Sequence, residues 1–302
     1  MRVLIVFNPK SGRGRGAAAA ESARSWLVSR EGGGHAVEML GGGPGMSGEE
    51  LLAAARRAEV MVVAGGDGSV HHAAGAAMGA GVPLYHLPCG NENLFAREFG
   101  MTRSVRRLSE RIAAGRIERV DLGRIEAAGV SRHFLLMASF GTDASVVHRL
   151  DAVRSRATGH LAYAVPSTVE FFRPHLPELT VVADGRAVVE GRRGLLVVAN
   201  CRRYALGMDP CHRASMQDGR LDYLFMPCAS SLGVVAWGLR CFRRVAEKRG
   251  AVGGGAAVIE VRGKKAACQV DGEAGGWLEG EMRFTVEAGV VPVLGVAGGE
   301  GG

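Results

Sequence analysis

The segment Val60-Met61-Val62-Val63-Ala64-Gly65-Gly66-Asp67-Gly68-Ser69-Val70 decides how this chain is read. Its five leading apolar residues show no polar alternation, which fits a strand buried on both faces, as in a parallel sheet. The glycine-rich stretch follows directly, and Val70 to Met78 then has a helical pattern. An Asp-Gly pair can also turn a β-hairpin, but a helix after the turn favours a strand–loop–helix unit. Glycines let backbone N–H groups approach a phosphate chain closely, and an acid between them can bind Mg²⁺ or take a proton.

The same unit recurs on either side. Val3 to Phe7 runs into Asn8-Pro9-Lys10-Ser11-Gly12 and a helix near Gly16 to Ser29; downstream, Pro88-Cys89-Gly90-Asn91-Glu92-Asn93-Leu94-Phe95-Ala96-Arg97 is a third junction. Loops at the carboxyl ends of parallel strands are where such sheets bind ligands, and helix N-termini favour anions. A helix from Glu49 to Arg57 completes the alternation.

From about Val120 the pattern changes to short alternating segments: Asp121 to Glu126, His133 to Ala138, Thr180 to Ala183, Ala187 to Glu190, Leu195 to Ala199, Leu221 to Phe225, Val258 to Val261 and Glu281 to Glu287. These predict antiparallel strands. Helical periodicity interrupts them at Leu161 to Phe172 and Leu232 to Ala246. The expected fold is therefore an N-terminal α/β domain with a parallel sheet, residues 1–119, and a C-terminal β-rich, antiparallel sandwich-like domain, residues 120–287. Glycine clusters at Gly32 to Gly34, Gly41 to Gly45 and Gly253 to Gly255 are expected to be loops, and Gly298 to Gly302 a frayed tail.

Composition narrows the function classes. The 302 residues include 46 glycines without a repeat, and 47% are hydrophobic, which excludes collagen-like and disordered chains. Lys+Arg outnumber Asp+Glu by 37 to 30, for a net charge of +7, but no dense basic run or reader motif predicts nucleic-acid binding. Five apolar residues before Asn8 are too few for an export signal, and no segment is expected to span a bilayer. Six scattered cysteines are expected to be reduced thiols; Cys201, Cys211, His212 and Cys228 lack zinc-ligand spacing.

The three loops resemble the diacylglycerol kinase catalytic domain family, which includes the bacterial lipid kinases and the sphingosine and ceramide kinases. Phe140-Gly141-Thr142-Asp143-Ala144, Asn200, Asp218-Gly219-Arg220-Leu221-Asp222 and Asp271-Gly272-Glu273 extend the resemblance through nearly the whole chain. It implies transfer of the γ-phosphoryl group of ATP to a lipid hydroxyl, most simply diacylglycerol, in a cleft between a nucleotide-binding α/β domain and a β-rich lipid domain. It also implies that the chain returns to the first domain after about Ala288.

Carried over by residue, Asn8, Pro9, Lys10, Ser11 and Gly12, then Gly65, Gly66, Asp67, Gly68, Ser69, Val70, His71 and His72, then Gly90, Asn91 and Asn93 would contact ATP. Asp67 would lie nearest the phosphates and catalytic Mg²⁺. Asp271 and Glu273 would be catalytic, with Glu273 taking the substrate proton unless the base lies in the glycine-rich loop. Ser215, Asp218 and the main-chain oxygen of Arg220 would hold a structural Mg²⁺, and Asp143 would orient the lipid head group.

The chain departs from the family pattern at Asn91, Leu94 and His72, and lacks a Thr around Leu40 to Gly43. A kinase of a soluble substrate, like the NAD kinases and phosphofructokinases, shares the GGDG loop, and a weakened lipid- or nucleotide-binding protein is a third reading. A lipid kinase implies a cytoplasmic protein in peripheral contact with the inner membrane face. Arg149, Arg154, Arg156 and His160 before Leu161, and Arg240 to Arg249 after Trp237, suit anionic head groups. The resemblance leaves a homodimer open.

Overall fold

The computed structural model describes residues 1–9, 11–42, 46–153 and 174–295. Lys10, Arg154, Arg156, His160, the helix expected at Leu161 to Phe172 and the glycine tail lie outside the described residues. The chain forms two compact units, one of Met1–Val120 with the chain returning from Gly289, the other Asp121–Ala288.

The first unit is an α/β layer structure. Strands β1 (Arg2–Phe7), β2 (Ala36–Gly41), β3 (Val60–Gly65) and β4 (Leu84–Pro88) are all parallel, in the order β4-β3-β1-β2. The last residues of strand β13 (Glu273–Leu294) pair with β4 in the same sense, through Val293 and Leu84. Every residue of β3 is buried, as its unbroken apolar run requires in a sheet covered on both faces.

Helices α1 (Arg15–Val28), α2 (Gly48–Ala55) and α3 (Asp67–Ala80) connect β1 to β4 in turn, and α4 (Leu94–Glu98) and α5 (Val105–Ala114) follow β4. Ser47 and Ser104 cap α2 and α5 by accepting the N–H of Glu50 and Arg107, and Gly81 ends α3 in the left-handed region. The buried Arg111 of α5 donates to the carbonyls of Phe99, Gly100 and Leu294, which ties α5 to the returning strand.

The second unit is antiparallel. Strands β7 (Met137–Phe140), β8 (Glu178–Ala183), β9 (Arg186–Ala199), β10 (Leu221–Pro227), β11 (Val252–Ala256) and β12 (Val258–Val270) join β13 in the order β11-β10-β9-β7-β12-β13. Strand β8 pairs with the early parts of β9 and β12, whose later parts both pair with β7. Each long strand thus serves two sheets, bending near Gly191 and near the bulge at Lys265, where φ is positive. Phe134, Phe140, Phe225 and Phe284 fill the space between them, with Phe284 edge-on to Phe134 and Phe140. The expected fold class, α/β followed by an antiparallel sandwich-like domain, is the one observed.

Three local expectations are corrected. Gly253 to Gly255 are not a loop but most of β11; a Cβ on Gly253 would lie 2.9 Å from Leu224 Cδ1, and one on Gly254 3.1 Å from the Tyr223 hydroxyl. Their lack of side chains fits them beneath the large residues of β10. The two strands expected at 187–190 and 195–199 are one, because the polar stretch between them keeps its ladder pairing through Arg192, Arg193 and Gly194. Conversely, the single strand expected at 133–138 breaks at Leu135 and Leu136, between β6 (Val130–Phe134), which pairs with β5 (Ile117–Ala127), and β7, because their N–H groups bond to a carboxylate instead of a ladder partner.

Candidate active-site groups

In the first unit the three sequence-predicted loops abut backbone to backbone. Gly90 of the third loop lies so close to Gly66 of the second that a Cβ on it would sit 2.8 Å from the Gly66 Cα. Gly12 of the first loop has φ +57°, and a side chain there would collide with the Cys89 carbonyl of the third. A Cβ on Gly16, at the start of α1, would lie 2.6 Å from the Asn8 carbonyl. Glycine is therefore required here by close approach and not merely by composition.

Hydrogen bonds fix this arrangement. The Cys89 N–H donates to the Gly65 carbonyl at 2.7 Å, and the buried His86 ring reaches the same oxygen through Nε2 at 2.9 Å. A carbonyl only accepts, so Nε2 carries the proton. Burial depresses the His86 pKa, outweighing that bond and the Asp67 charge, both of which raise it; the ring is neutral. Asn93, at φ +51°, accepts the Gly90 N–H at 2.8 Å and returns Nδ2 to the Gly90 carbonyl at 2.9 Å, closing the third loop on itself.

Asp67 links the second loop to the third. Its Oδ1 accepts the Phe95 N–H at 3.0 Å, so the carboxylate caps α4 from the first residue of α3. Among the described residues Oδ2 has no hydrogen-bond partner, which leaves one anionic oxygen for a cation. Pro9, Gly68, His72 and Asn91 are exposed, and Asn8, Ser11, Gly66, Ser69, His71, Gly90 and Asn93 half-buried. Val70 is a correction: its side chain is wholly buried and its N–H donates to the Gly66 carbonyl, so neither is offered to a ligand.

In the second unit, Asp271 and Gly272 both have positive φ, and Val270 pairs with Glu273 across them. This is a two-residue hairpin turn, for which Asp-Gly is a preferred sequence. Asp271 is spent on structure: its carboxylate accepts the N–H groups of Leu135, Leu136 and Met137 at 2.6, 2.8 and 2.9 Å. These bonds position the turn that carries Glu273. The Glu273 side chain is exposed and has no hydrogen-bond partner among the described residues.

A polar chain leads from this turn to Asp143. The Gly272 N–H donates to Gln269 Oε1 at 2.8 Å, Gln269 Nε2 donates to Ser139 Oγ at 2.8 Å, and Ser139 and Tyr204 both donate to Asp143 Oδ2. Burial first, and then the Asp143 charge, push the Tyr204 phenol well above its ordinary pKa and keep it a donor. Asp143 lies in the first turn of α6 (Thr142–Val153). Sequence reasoning missed Gln269, Ser139 and Tyr204, which carry no motif.

The third group is the loop at 215–220. Ser215 Oγ accepts the Gln217 N–H at 3.2 Å and Asp218 Oδ1 the Arg220 N–H at 3.1 Å. Buried Asp121, also missed, holds the loop from outside: its N–H donates to the Met216 carbonyl at 2.7 Å and its Oδ2 accepts the Gly219 N–H at 2.7 Å. Burial, and then the Asp218 charge, push the nearby Asp222 carboxyl up to about 6. Hydroxyl, carboxylate and carbonyl oxygens in one tight turn are a donor set that fits Mg²⁺. No cluster of three His, Cys, Asp or Glu residues suited to a metal occurs among the described residues.

An all-parallel sheet with three glycine-bearing loops at its strand ends, followed by this sandwich, defines the two-domain kinase fold. Residues 2–125 match the model of the diacylglycerol kinase catalytic domain, and residues 137–295 that of the YegS C-terminal NAD kinase beta sandwich-like domain. A Mycobacterium tuberculosis protein named diacylglycerol kinase is 32% identical over 225 residues, covering 73% of this chain and 72% of the relative. The chain belongs to the diacylglycerol kinase catalytic domain family. Its fold is also similar to that of a diacylglycerol kinase from Bacillus anthracis, with TM-score 0.67 and 16% identity over 97% of this chain and 96% of that one. An NAD kinase from Archaeoglobus fulgidus, solved with ATP, shares the fold with TM-score 0.51 and 15% identity over 97% and 92%.

Proposed function

We propose that this protein transfers the γ-phosphoryl group of ATP to the hydroxyl of a lipid, with diacylglycerol the first substrate to test. The observation that carries the nucleotide half is the packing of Gly12, Gly66 and Gly90 against neighbouring backbone, which brings the main chains of the three loops together. The solved NAD kinase of this fold, in complex with ATP, supports the choice of nucleotide. The lipid half rests on the family and on the mycobacterial relative's name.

Loop N–H groups bind and orient the phosphates, while the Asp67 oxygen that has no partner among the described residues helps place the catalytic cation. Mg²⁺ when bound supplies neutralisation of phosphate charge. The Glu273 carboxylate takes the proton of the lipid hydroxyl as its oxygen bonds to the γ-phosphorus. The bond from that phosphorus to the β–γ bridging oxygen breaks, and ADP leaves with the electron pair. Ser215, Asp218 and the Arg220 carbonyl would hold a second, structural Mg²⁺, which would neutralise charge in their loop, and Asp143 orients the acceptor.

The test is a substrate panel. The protein is incubated with ATP labelled at its γ-phosphate, Mg²⁺, and mixed micelles of diacylglycerol, ceramide or sphingosine, with NAD as a soluble acceptor. Label in phosphatidic acid is expected; label in NADP would instead establish a kinase of a soluble substrate.

A further inference from the structure

Helix α7 (Ser231–Phe242) carries two faces of opposite character. Its buried face is anchored: Trp237 and Cys241 are each 4% exposed, and the Trp237 indole donates to the Pro227 carbonyl at 2.8 Å. On the other face Leu232, Val235, Leu239 and Phe242 are exposed by 77%, 46%, 57% and 62%. Steps of three, four and three residues put all four within an arc of roughly 90° on an α-helix. They are four of the ten exposed large apolar side chains among the described residues, so this is a patch and not scatter.

Charge identifies the occupant. Ser231 to Phe242 contains no acid, and Arg240, Arg243, Arg244, Lys248 and Arg249 stand on or just after the helix against the single acid Glu247. Two of the five have partners: Arg240 lies over the Trp237 ring at 4.4 Å, and Arg244 bonds Asp209 at 3.1 Å. Glu247 is 3.6 Å from Arg213. Arg243, Lys248 and Arg249 are exposed and have no ion-pair partner among the described residues. An apolar stripe beside unpaired cations complements the boundary between acyl chains and anionic head groups.

We propose that α7 is the surface by which the protein lies on an anionic bilayer, with Leu232, Val235, Leu239 and Phe242 entering the leaflet and Arg243, Lys248 and Arg249 at its head groups. This deepens the lipid-kinase reading by naming where the bilayer is met. It is tested without ATP, so failure of either idea is recognised separately.

The full chain is sedimented with vesicles of phosphatidylcholine alone and of phosphatidylcholine with phosphatidylglycerol. Wild type is expected to pellet with the anionic vesicles, less so at high salt. Leu239→Ser with Phe242→Ser, and independently Leu232→Ser with Val235→Ser, should weaken this binding about tenfold or more, with thermal melting unchanged because these side chains are exposed. Arg243→Glu with Lys248→Glu should remove the preference for anionic vesicles. Equal pelleting of wild type and both serine pairs overturns the proposal, as does no pelleting by any. A dimer that Phe242→Ser dissolves, without vesicle binding, overturns it in favour of a second copy of the chain.

Discussion

Gly90 approaches Gly66 so closely that a methyl group on Gly90 would lie 2.8 Å from the Gly66 Cα and 3.1 Å from Asn93 Oδ1. Neither neighbour can yield cheaply, because one is backbone and the other holds the Gly90 N–H. Gly90→Ala should therefore separate the second and third loops. We expect a loss of about 1–3 kcal/mol in stability and at least about tenfold in ATP affinity, read by calorimetric titration and melting. Unchanged ATP affinity would show that the contact does not shape the nucleotide site.

Asp67 does two jobs that substitution can part. In Asp67→Asn the amide oxygen can still accept the Phe95 N–H, so the fold should persist while the negative oxygen is lost. Turnover should fall at least about tenfold with little change in melting temperature. Asp67→Ala should lose the α4 cap as well, costing about 1 kcal/mol more. Normal turnover in the asparagine variant would remove Asp67 from cation placement.

Asp271 holds three N–H groups at the break between β6 and β7. Asp271→Ala leaves them without their acceptor and should destabilise the protein by about 2–4 kcal/mol in urea unfolding. A variant as stable as wild type would contradict the structural role assigned to this carboxylate.

His86 gives a pH dependence whose sign follows from its burial. Its folded pKa lies below the ordinary 6.5, so below that pH the unfolded chain binds a proton that the folded chain resists. The stability contributed by neutral His86 is present above about pH 6.5 and is lost as the medium is acidified below it. Urea midpoints should fall between about pH 7.5 and about pH 5.5, and His86→Gln should flatten part of that fall. An unaltered slope in the variant would assign the dependence to other groups.

The sequence made the two kinds of sheet legible because β3 is apolar without alternation and the later strands alternate, two patterns that burial on two faces and on one face produce. The loops were legible because close backbone approach leaves a mark only glycine can make, at Gly12, Gly66 and Gly90. What was hidden is pairing at long range. Asp67 with Phe95, Asp271 with Leu135 and Gly219 with Asp121 are separated by 28, 136 and 98 residues, and no local period reports such contacts. Motif position also misled at Val70, which the helical turn directs into the core. Glycine density misled at β11, where it marks room for Tyr223 and Leu224.

The central claim is tested most directly by single-turnover transfer of label from the γ-phosphate of ATP to diacylglycerol in mixed micelles, comparing wild type with Glu273→Gln. Because the Glu273 side chain is exposed and has no hydrogen-bond partner among the described residues, the variant should fold and bind ATP normally. Transfer should occur in wild type and be slowed about 10²-fold or more in the variant. No labelled phosphatidic acid from wild type, with ATP bound, would contradict the account.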